Sequence, residues 1–465
     1  MNFDLAYRKN YQLVNGILFA FALMVLVLNN RGQFCYDSRQ YWELAKQYGS
    51  AGHFDFLNFN DSLRGYLLPL LLYPAVKLGE LFSYEVLICR FYLIGIFALF
   101  YTFGIALLFK VFFKSVLSPF LHALLGVILV VLWWEAFTLP LTDIAGVIFL
   151  FLSFALLPKQ NQWLHLLSGA CLYATLNLRL INIIAIPFFV FYIVLVIQAW
   201  KPKIKALAFT FIGFILLATP QWVINRAHFS TNSILVQSDK SKFTEGKSLY
   251  LMQLSSGIRF QKYETNIGTT YPKPGIFYMD EWAKEMGVGM PEKGFEGYGQ
   301  YLHFVFGHPP VLFTYLKHLF NGLDITTPRI FLTSDIYYRS SGLKFFNYSV
   351  LFLGVLGMIL NFRKLSILTQ TVTLLSLTLA LLVVPTLVEV RFFIPLHFFF
   401  YFYALFLLQN STLRLLKSNK KRLYILSLIY ICFVSLCFYA SSNTMKQIEF
   451  KSTAANISES VSSIL

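Results

Sequence analysis

Ionisable side chains recur in this sequence where apolar stretches begin or end. Charged groups close to a hydrocarbon layer are costly, and they commonly mark functional sites. Because these residues come from distant parts of the chain, a shared cavity is the economical explanation for them. The residues are Asp37, Glu43, Arg64, Glu135, Asp143, Arg179, Glu389 and Arg391.

Asp37 lies near the start of the segment YDSRQYWELAKQY (36–48), in which Tyr41, Leu44 and Tyr48 recur at helical spacing. This spacing predicts an amphipathic helix on the membrane surface, with Asp37 at its amino end. A carboxylate at that position commonly caps the first turn. If it faces a cavity, it can instead act as a general base on an attacking hydroxyl, an effect of roughly 10²–10⁴-fold in rate.

Two further carboxylates flank one predicted turn between apolar stretches. Glu135 follows the tryptophan pair 133–134, which is typical of interface anchors, and Asp143 begins the next stretch. Helix capping accounts for one such residue, but two acids at one turn exceed that need. Together they could orient an acceptor group, or hold a divalent cation through oxygen ligands.

Three arginines provide candidate sites for a phosphate group. Arg64 precedes an apolar stretch, Arg179 lies at a turn between two stretches, and Arg391 begins a later one. One interpretation is that these side chains reach toward lipid headgroups, and that Glu389 pairs with Arg391. The other is that a planar, permanently charged guanidinium recognises a phosphate.

The composition places these residues in a membrane protein. Of the 465 residues, 57% are hydrophobic and only 13% are charged, against about 25% in soluble domains. Apolar runs long enough to span a bilayer recur along the chain. The sequence has no Walker A, HExxH, CxxC or glycine-rich nucleotide motif. It also has no basic, aromatic-studded face of the kind that binds nucleic acid.

The basic residues are concentrated in six segments between apolar stretches. These segments hold fifteen Lys or Arg and only one acid, Asp4. Such a bias assigns them to the cytoplasm. The segments carry Arg8 and Lys9; Lys110 and Lys114; Lys159; Lys201, Lys203 and Lys205; Arg363 and Lys364; and Arg414, Lys417, Lys420, Lys421 and Arg422.

The charge bias then sets the number of crossings. Twelve apolar stretches are candidates, but only one of 66–82 and 86–109 can cross if residues 110–114 are cytoplasmic. We expect 66–82, which contains two prolines, to be a juxtamembrane or re-entrant helix. The predicted fold is an all-α polytopic membrane protein with about eleven transmembrane helices, a cytoplasmic amino terminus and an extracytoplasmic carboxyl terminus, in the plasma or inner membrane.

The same pattern predicts the domain organisation. Residues 1–219 form the first part of the membrane domain, with juxtamembrane helices in an outer loop at 30–85. Residues 220–344 form a small extracytoplasmic insert, in which 309–321 is expected to be an amphipathic helix along the membrane. Residues 345–440 complete the membrane domain, and 441–465 are a polar outer tail.

Five short motifs, in this order, resemble the GT-C superfamily of membrane glycosyltransferases. That superfamily includes protein O-mannosyltransferases and lipid A aminoarabinose transferases. The resemblance extends over about residues 1–410, and it is one of pattern. The motifs are Asp37 with Tyr41, RGYLLP at 64–69, LTD at 141–143, LNLR at 176–179 and EVRF at 389–392.

The resemblance implies a GT-C-like fold and transfer of a sugar from a polyprenyl-phosphate donor to a hydroxyl on a glycan, lipid or protein. It implies that Asp37 activates the acceptor, with Asp143 in support. Arg64, Arg179 and Arg391 are then expected to bind the donor phosphate. The remaining acceptor or support residues are expected to be Glu135, Glu389 and Tyr41.

Two other functions stay open at this point. One is a polymerase or ligase that acts on lipid-linked glycans, since such enzymes also combine many spans with outer arginines. The other is a lipid or solute transporter, although transporters often have inverted repeats and mid-span charges. This sequence has its charges at one face, and no internal repeat is visible.

Overall fold

The computed structural model describes residues 12–17, 19–20, 23–24, 34, 36–159, 161–197, 199–244, 246–259, 262–264, 276–278, 294–330, 340–410 and 420–451. The Arg8 and Lys9 cluster, parts of the first apolar stretch at 13–28 and the tail after residue 451 lie outside these residues. The chain forms two compact units. One comprises Met1–Ser241 and Ile359–Ser376, and the other comprises Lys242–Met358 and Leu377–Leu465.

The described residues of the first unit form helices joined by loops. Local signals set several of the helix ends. The Ser118 hydroxyl accepts from the Leu121 N–H at the start of one helix, and the Asn161 side chain accepts from the Trp163 N–H at another. The helices are α1 (Tyr36–Gln47), α2 (Leu67–Phe82), α3 (Glu85–Leu99), a π-helical segment (Phe100–Ile105), α4 (Ala106–Phe113), α5 (Pro119–Thr138), α6 (Thr142–Leu156), α7 (Gln162–Leu178), α8 (Ala185–Val196) and α9 (Trp200–Phe229).

The second unit is also largely helical, with one short antiparallel strand pair. Its amino-terminal part has a small apolar core that includes Leu254, Phe295 and Phe304. The helix predicted at 309–321 is present, as α12. The elements are α10 (Leu249–Arg259), β1 (Lys262–Glu264), β2 (Ile276–Tyr278), α11 (Tyr298–Gly307), α12 (Val311–Leu323), α13 (Ser341–Asn361), α14 (Ile367–Val383), α15 (Ile394–Gln409) and α16 (Lys420–Lys451). The end of α13 (359–361) and the first part of α14 (367–376) belong to the first unit.

Within the described residues, six helical stretches are long and apolar enough to cross a membrane. Three shorter apolar helices accompany them: Thr142–Leu156, Leu180–Val196 and Ile367–Val383. The prediction of a helical, polytopic integral-membrane protein is therefore supported. The long stretches are Glu85–Phe113, Pro119–Thr138, Trp200–Phe229, Ser341–Lys364, Val390–Gln409 and Lys420–Thr444.

The helix α1 is held against the two helices that follow it. Its indole Trp42 Nε1–H donates to Glu85 Oε2 at 3.1 Å, and Lys46 Nζ lies 2.6 Å from the same carboxylate oxygen. The Tyr48 hydroxyl, just past the helix, donates to the Tyr66 carbonyl at 3.0 Å. These contacts fix α1 relative to the start of α2 and the start of α3.

Helices α7 and α9 pack with their backbones in direct contact. A Cβ added to Gly169 would overlap the carbonyl oxygen of Thr210, and a Cβ added to Gly213 would overlap that of Leu166. Small residues permit this close approach, which is common between membrane helices. The contact helps to position the end of α7 at Leu178, immediately before the predicted site residue Arg179.

The glycine contact gives a stability prediction. We expect Gly169→Ala to lower the free energy of unfolding by about 1–3 kcal/mol, because its methyl group would be forced onto a backbone oxygen. Gly95→Ala on α3 is the matched control, since a Cβ there meets no atom within 4 Å. It should be neutral or slightly stabilising through higher helix propensity. Thermal unfolding in one detergent measures both, and equal midpoints would contradict the packing.

Candidate active site

Asp37 and Arg64 form an ion pair at the amino end of α1. Arg64 Nη2 lies 2.6 Å from Asp37 Oδ1 and 3.1 Å from Gln40 Oε1, one turn further along the helix. The side chains of Arg64 and Asp37 are 20% and 27% exposed, so solvent still reaches the pair. Tyr36, directly before Asp37, has a φ of 46°, which a non-glycine residue rarely adopts. The backbone beside the carboxylate is therefore strained.

The loop that carries Arg64 is shaped by Asp61. Its Oδ1 accepts from the Leu63 N–H at 2.8 Å and from the Arg64 N–H at 2.6 Å. Burial raises the pKa of the Asp61 carboxyl, and hydrogen bonds from those two N–H groups oppose the rise. Asp61 thus acts as a turn former that presents the arginine toward α1.

Tyr41 connects this pair to a second group of residues. The Arg64 guanidinium carbon lies 5.2 Å from the centre of the Tyr41 ring, within the range of a cation–π contact. The Tyr41 hydroxyl also forms a side-chain hydrogen bond with Thr142, the first residue of α6. Burial raises the pKa of this hydroxyl, while the positive charge of Arg64 opposes the rise. Tyr41 therefore bridges α1 and α6.

The second group is the ion pair of Asp143 and Arg179. Arg179 Nη1 donates to Asp143 Oδ1, and the Asp143 side chain is only 3% exposed. Arg179 lies at the carboxyl end of α7, where its N–H donates to the Thr175 carbonyl at 3.0 Å. The Thr175 hydroxyl in turn donates to the Gly146 carbonyl at 2.9 Å, which joins α7 to α6. The guanidinium is thus aimed at the first turn of α6.

These contacts bring together five of the predicted site residues: Asp37, Tyr41, Arg64, Asp143 and Arg179. Thr142, part of the LTD motif, belongs to the same cluster through its bond to Tyr41. Two carboxylates and two guanidiniums balance in charge. Asp37 is the more exposed of the two acids and Asp143 the more buried. The arrangement offers one accessible carboxylate and two forks suited to an anion.

A buried chain of amide side chains supports this cluster. The Leu67 N–H donates to Asn177 Oδ1 at 2.9 Å, and Asn177 Nδ2 donates to Gln221 Oε1 at 2.9 Å. Gln221 Nε2 then donates to Asn225 Oδ1 at 2.9 Å. A Cβ on Gly65 would overlap the Asn177 carbonyl oxygen, so only glycine allows the loop beside Arg64 to come this close. The chain fixes Arg64 and Arg179 relative to each other.

The sequence analysis missed these amides. The predicted boundary between the membrane domain and the insert, at residue 219, falls inside α9, which continues to Phe229. Its last turns contain Pro220 and polar residues, which resembled a loop. The missed signal is the spacing of Gln221 and Asn225, four residues apart, which places both on one helix face.

The other predicted residues lie elsewhere on the chain. Glu135 is buried in the last turn of α5, and its carbonyl accepts from the Thr138 hydroxyl at 3.1 Å. In the second unit, Arg391 donates to both oxygens of Glu389, at 2.7 Å through Nε and 3.1 Å through Nη2. This ion pair between Glu389 and Arg391 is one of the two interpretations that the sequence offered. Their assignment to donor and acceptor binding stays a prediction.

Among the described residues, no group of three or more His, Cys, Asp or Glu side chains is arranged to hold a metal ion. No protein-family model matches the chain, and no curated protein matches it. Function must therefore be inferred from the site itself.

The buried ion pair can be tested by a double-mutant cycle. Arg179→Met leaves the Asp143 carboxylate buried without its partner, and we expect a loss of stability of up to about 3–5 kcal/mol. The double variant Asp143→Asn with Arg179→Met should recover most of this loss, because no charge remains buried. Thermal unfolding of the purified protein measures each variant. Equal midpoints for the single and double variants would show that the pair is not coupled.

Proposed function

We propose that the protein is a membrane glycosyltransferase of GT-C type. It transfers a sugar from a polyprenyl-phosphate donor to a hydroxyl acceptor on the extracytoplasmic face. The observation that carries this proposal is the cluster in which Asp37, Arg64, Tyr41, Asp143 and Arg179 meet. These residues lie within four of the five motifs that the sequence shares in pattern with that superfamily.

The proposed reaction uses the accessible carboxylate as a general base. Asp37 takes the proton of the acceptor hydroxyl while the hydroxyl oxygen forms a bond to the anomeric carbon. The bond from that carbon to the phosphate oxygen breaks, and the phosphate leaves with the electron pair. Arginines that face the developing negative charge stabilise it in a water-poor site, commonly the largest catalytic effect.

The existing ion pair gives Arg64 two roles in this proposal. While it is bonded to Asp37, it occupies an oxygen of the carboxylate that would take the proton. A donor phosphate that takes over the guanidinium would release Asp37 to act as the base. Arg179 remains bonded to the buried Asp143 and supplies positive charge from the other side.

The proposed topology has eleven crossings. It combines the six long apolar stretches, the three shorter ones, α7 and the first apolar stretch at 13–28. Helices α1 and α2 then lie at the outer surface, together with the acid–arginine cluster. The second unit contributes an outer insert.

Asp37→Asn tests the catalytic role. We expect it to lower sugar transfer at least 100-fold, because the neutral amide cannot take the hydroxyl proton. The measurement is the initial rate with a polyprenyl-phosphate sugar in detergent or liposomes, with thermal unfolding to show that the variant is folded. Glu43→Gln is the matched control on the same helix, since the Glu43 side chain is 55% exposed. Full activity of Asp37→Asn would remove Asp37 as the base.

Cysteine labelling tests the proposed orientation. In a variant without native cysteines, Asp239→Cys should react with a membrane-impermeant maleimide on intact cells, because it is placed outside. Lys201→Cys should react only after the membrane is permeabilised, since its basic segment is assigned to the cytoplasm. The reverse pattern would place the acid–arginine cluster on the cytoplasmic side and contradict the proposal.

The two alternatives give different outcomes in the transfer assay. A polymerase or ligase would extend lipid-linked chains without any monosaccharide carried on a lipid phosphate. A transporter would move its substrate into vesicles without forming a glycosidic bond. Either result, with no transfer from the monosaccharide donor, would replace the proposed activity.

A further inference from the structure

A second polar cluster lies in the other unit, where α12 ends. Asp324 follows the last residue of α12, and its side chain is completely buried. Its Oδ1 accepts from the Tyr348 hydroxyl of α13 at 2.6 Å. Among the described residues, its Oδ2 has no hydrogen-bond partner.

The adjacent residues Leu323 and Asn347 form a similar contact, which among the described residues also leaves one oxygen unbonded. Asn347 Nδ2 donates to the Leu323 carbonyl at 2.9 Å, and the Asn347 side chain is also completely buried. Within the described part of the chain, Asn347 Oδ1 has no donor. Residues 323 and 324 contact residues 347 and 348 respectively, so both unbonded oxygens lie where the end of α12 meets α13. Both are acceptors, so they cannot satisfy each other.

The buried carboxylate of Asp324 restricts what the site can bind more than the amide oxygen of Asn347 does. A carboxylate removed from water is strongly destabilising unless a positive group or a metal ion compensates it. In the described chain, the groups that face it are the Tyr348 hydroxyl and the Cys437 thiol, and Asp324 forms no salt bridge with Lys, Arg or His. The two buried histidines nearby contact backbone carbonyls instead: His318 that of Val384 and His397 that of Gly322.

The end of α12 adds negative potential at the same place. The last carbonyls of a helix carry a partial negative charge, which favours a cation. Helix carboxyl ends and backbone carbonyls are recurrent Na⁺ ligands in membrane proteins. Ser441 of α16, also completely buried, lies beside the Tyr348 hydroxyl and supplies a further oxygen.

We propose that this cluster binds a single monovalent cation of the size class of Na⁺. Asp324 Oδ2 and Asn347 Oδ1 are its anchoring ligands. The side chains of Asp324, Asn347 and Ser441 offer oxygen ligands, which hard cations prefer. One carboxylate neutralises one positive charge, whereas a divalent ion would leave an uncompensated charge in the protein interior. The site joins α12, α13 and α16, so the cation stabilises the second unit, whatever reaction the first unit performs.

Thermal unfolding of the purified full-length protein tests this site. In NaCl, the midpoint should exceed that in choline chloride of equal ionic strength by at least about 2 °C, because an ion that binds only the folded state stabilises it. Asp324→Asn should abolish the difference while still accepting the Tyr348 hydrogen bond. Glu296→Gln, at an exposed acid of the same unit, should keep it.

Several outcomes would overturn the proposal. Equal midpoints of the unaltered protein in NaCl and choline chloride would exclude a stabilising sodium-class cation, even if Asp324→Asn fails to fold. A larger response to CaCl₂ than to NaCl would show that the ligand is divalent. If Asn347→Leu or Asp324→Asn keeps the full sodium response, the ion binds elsewhere.

Discussion

Asp143 is buried, and the Arg179 guanidinium donates to its carboxylate. The Arg179 guanidinium can face it only if α7 ends at the level where α6 begins. Thr175 and Asn182 secure that level, because the Asn182 amide donates to the Thr175 hydroxyl at 2.8 Å and that hydroxyl bonds to α6. The geometry of the first unit is thus organised around the cost of a single buried charge.

The buried amide side chains near this ion pair also need hydrogen-bond partners inside the protein. An amide buried in an apolar helix must find partners inside the protein, and Asn177, Gln221 and Asn225 find them in one another and in the backbone. This requirement fixes the loop that carries Arg64, since Leu67 donates into the chain. These buried amides therefore help to determine where the residues of the candidate site lie.

The sequence predicted the positions of helices better than it predicted which side chains pair between them. Apolar spacing indicated α1 with Asp37 in its first turn, and the prolines before α12 indicated its start. The pairs Asp37–Arg64 and Asp143–Arg179 join residues 27 and 36 positions apart, and such pairing depends on how helices pack. Periodicity within one stretch carries no information about that packing. The bond between Glu389 and Arg391 was foreseeable because the two residues are near neighbours.

The polar insert was the least predictable part. A buried acid at the end of α12 looks, in sequence, like an ordinary helix end followed by a turn. Only the burial of Asp324 and Asn347 by neighbouring helices distinguishes it from a solvated site. Burial arises from contacts between segments far apart in the chain, so a local pattern could not indicate it.

The backbone contact between α7 and α9 has a consequence for how a lipid could reach Arg179. Where Gly169 meets Thr210 and Gly213 meets Leu166, the two helices leave no room for even a methyl group. No acyl or prenyl tail can thread through that seam. Any long-chain molecule that approaches the arginine must come along a different flank of the protein, and this seam is closed to it.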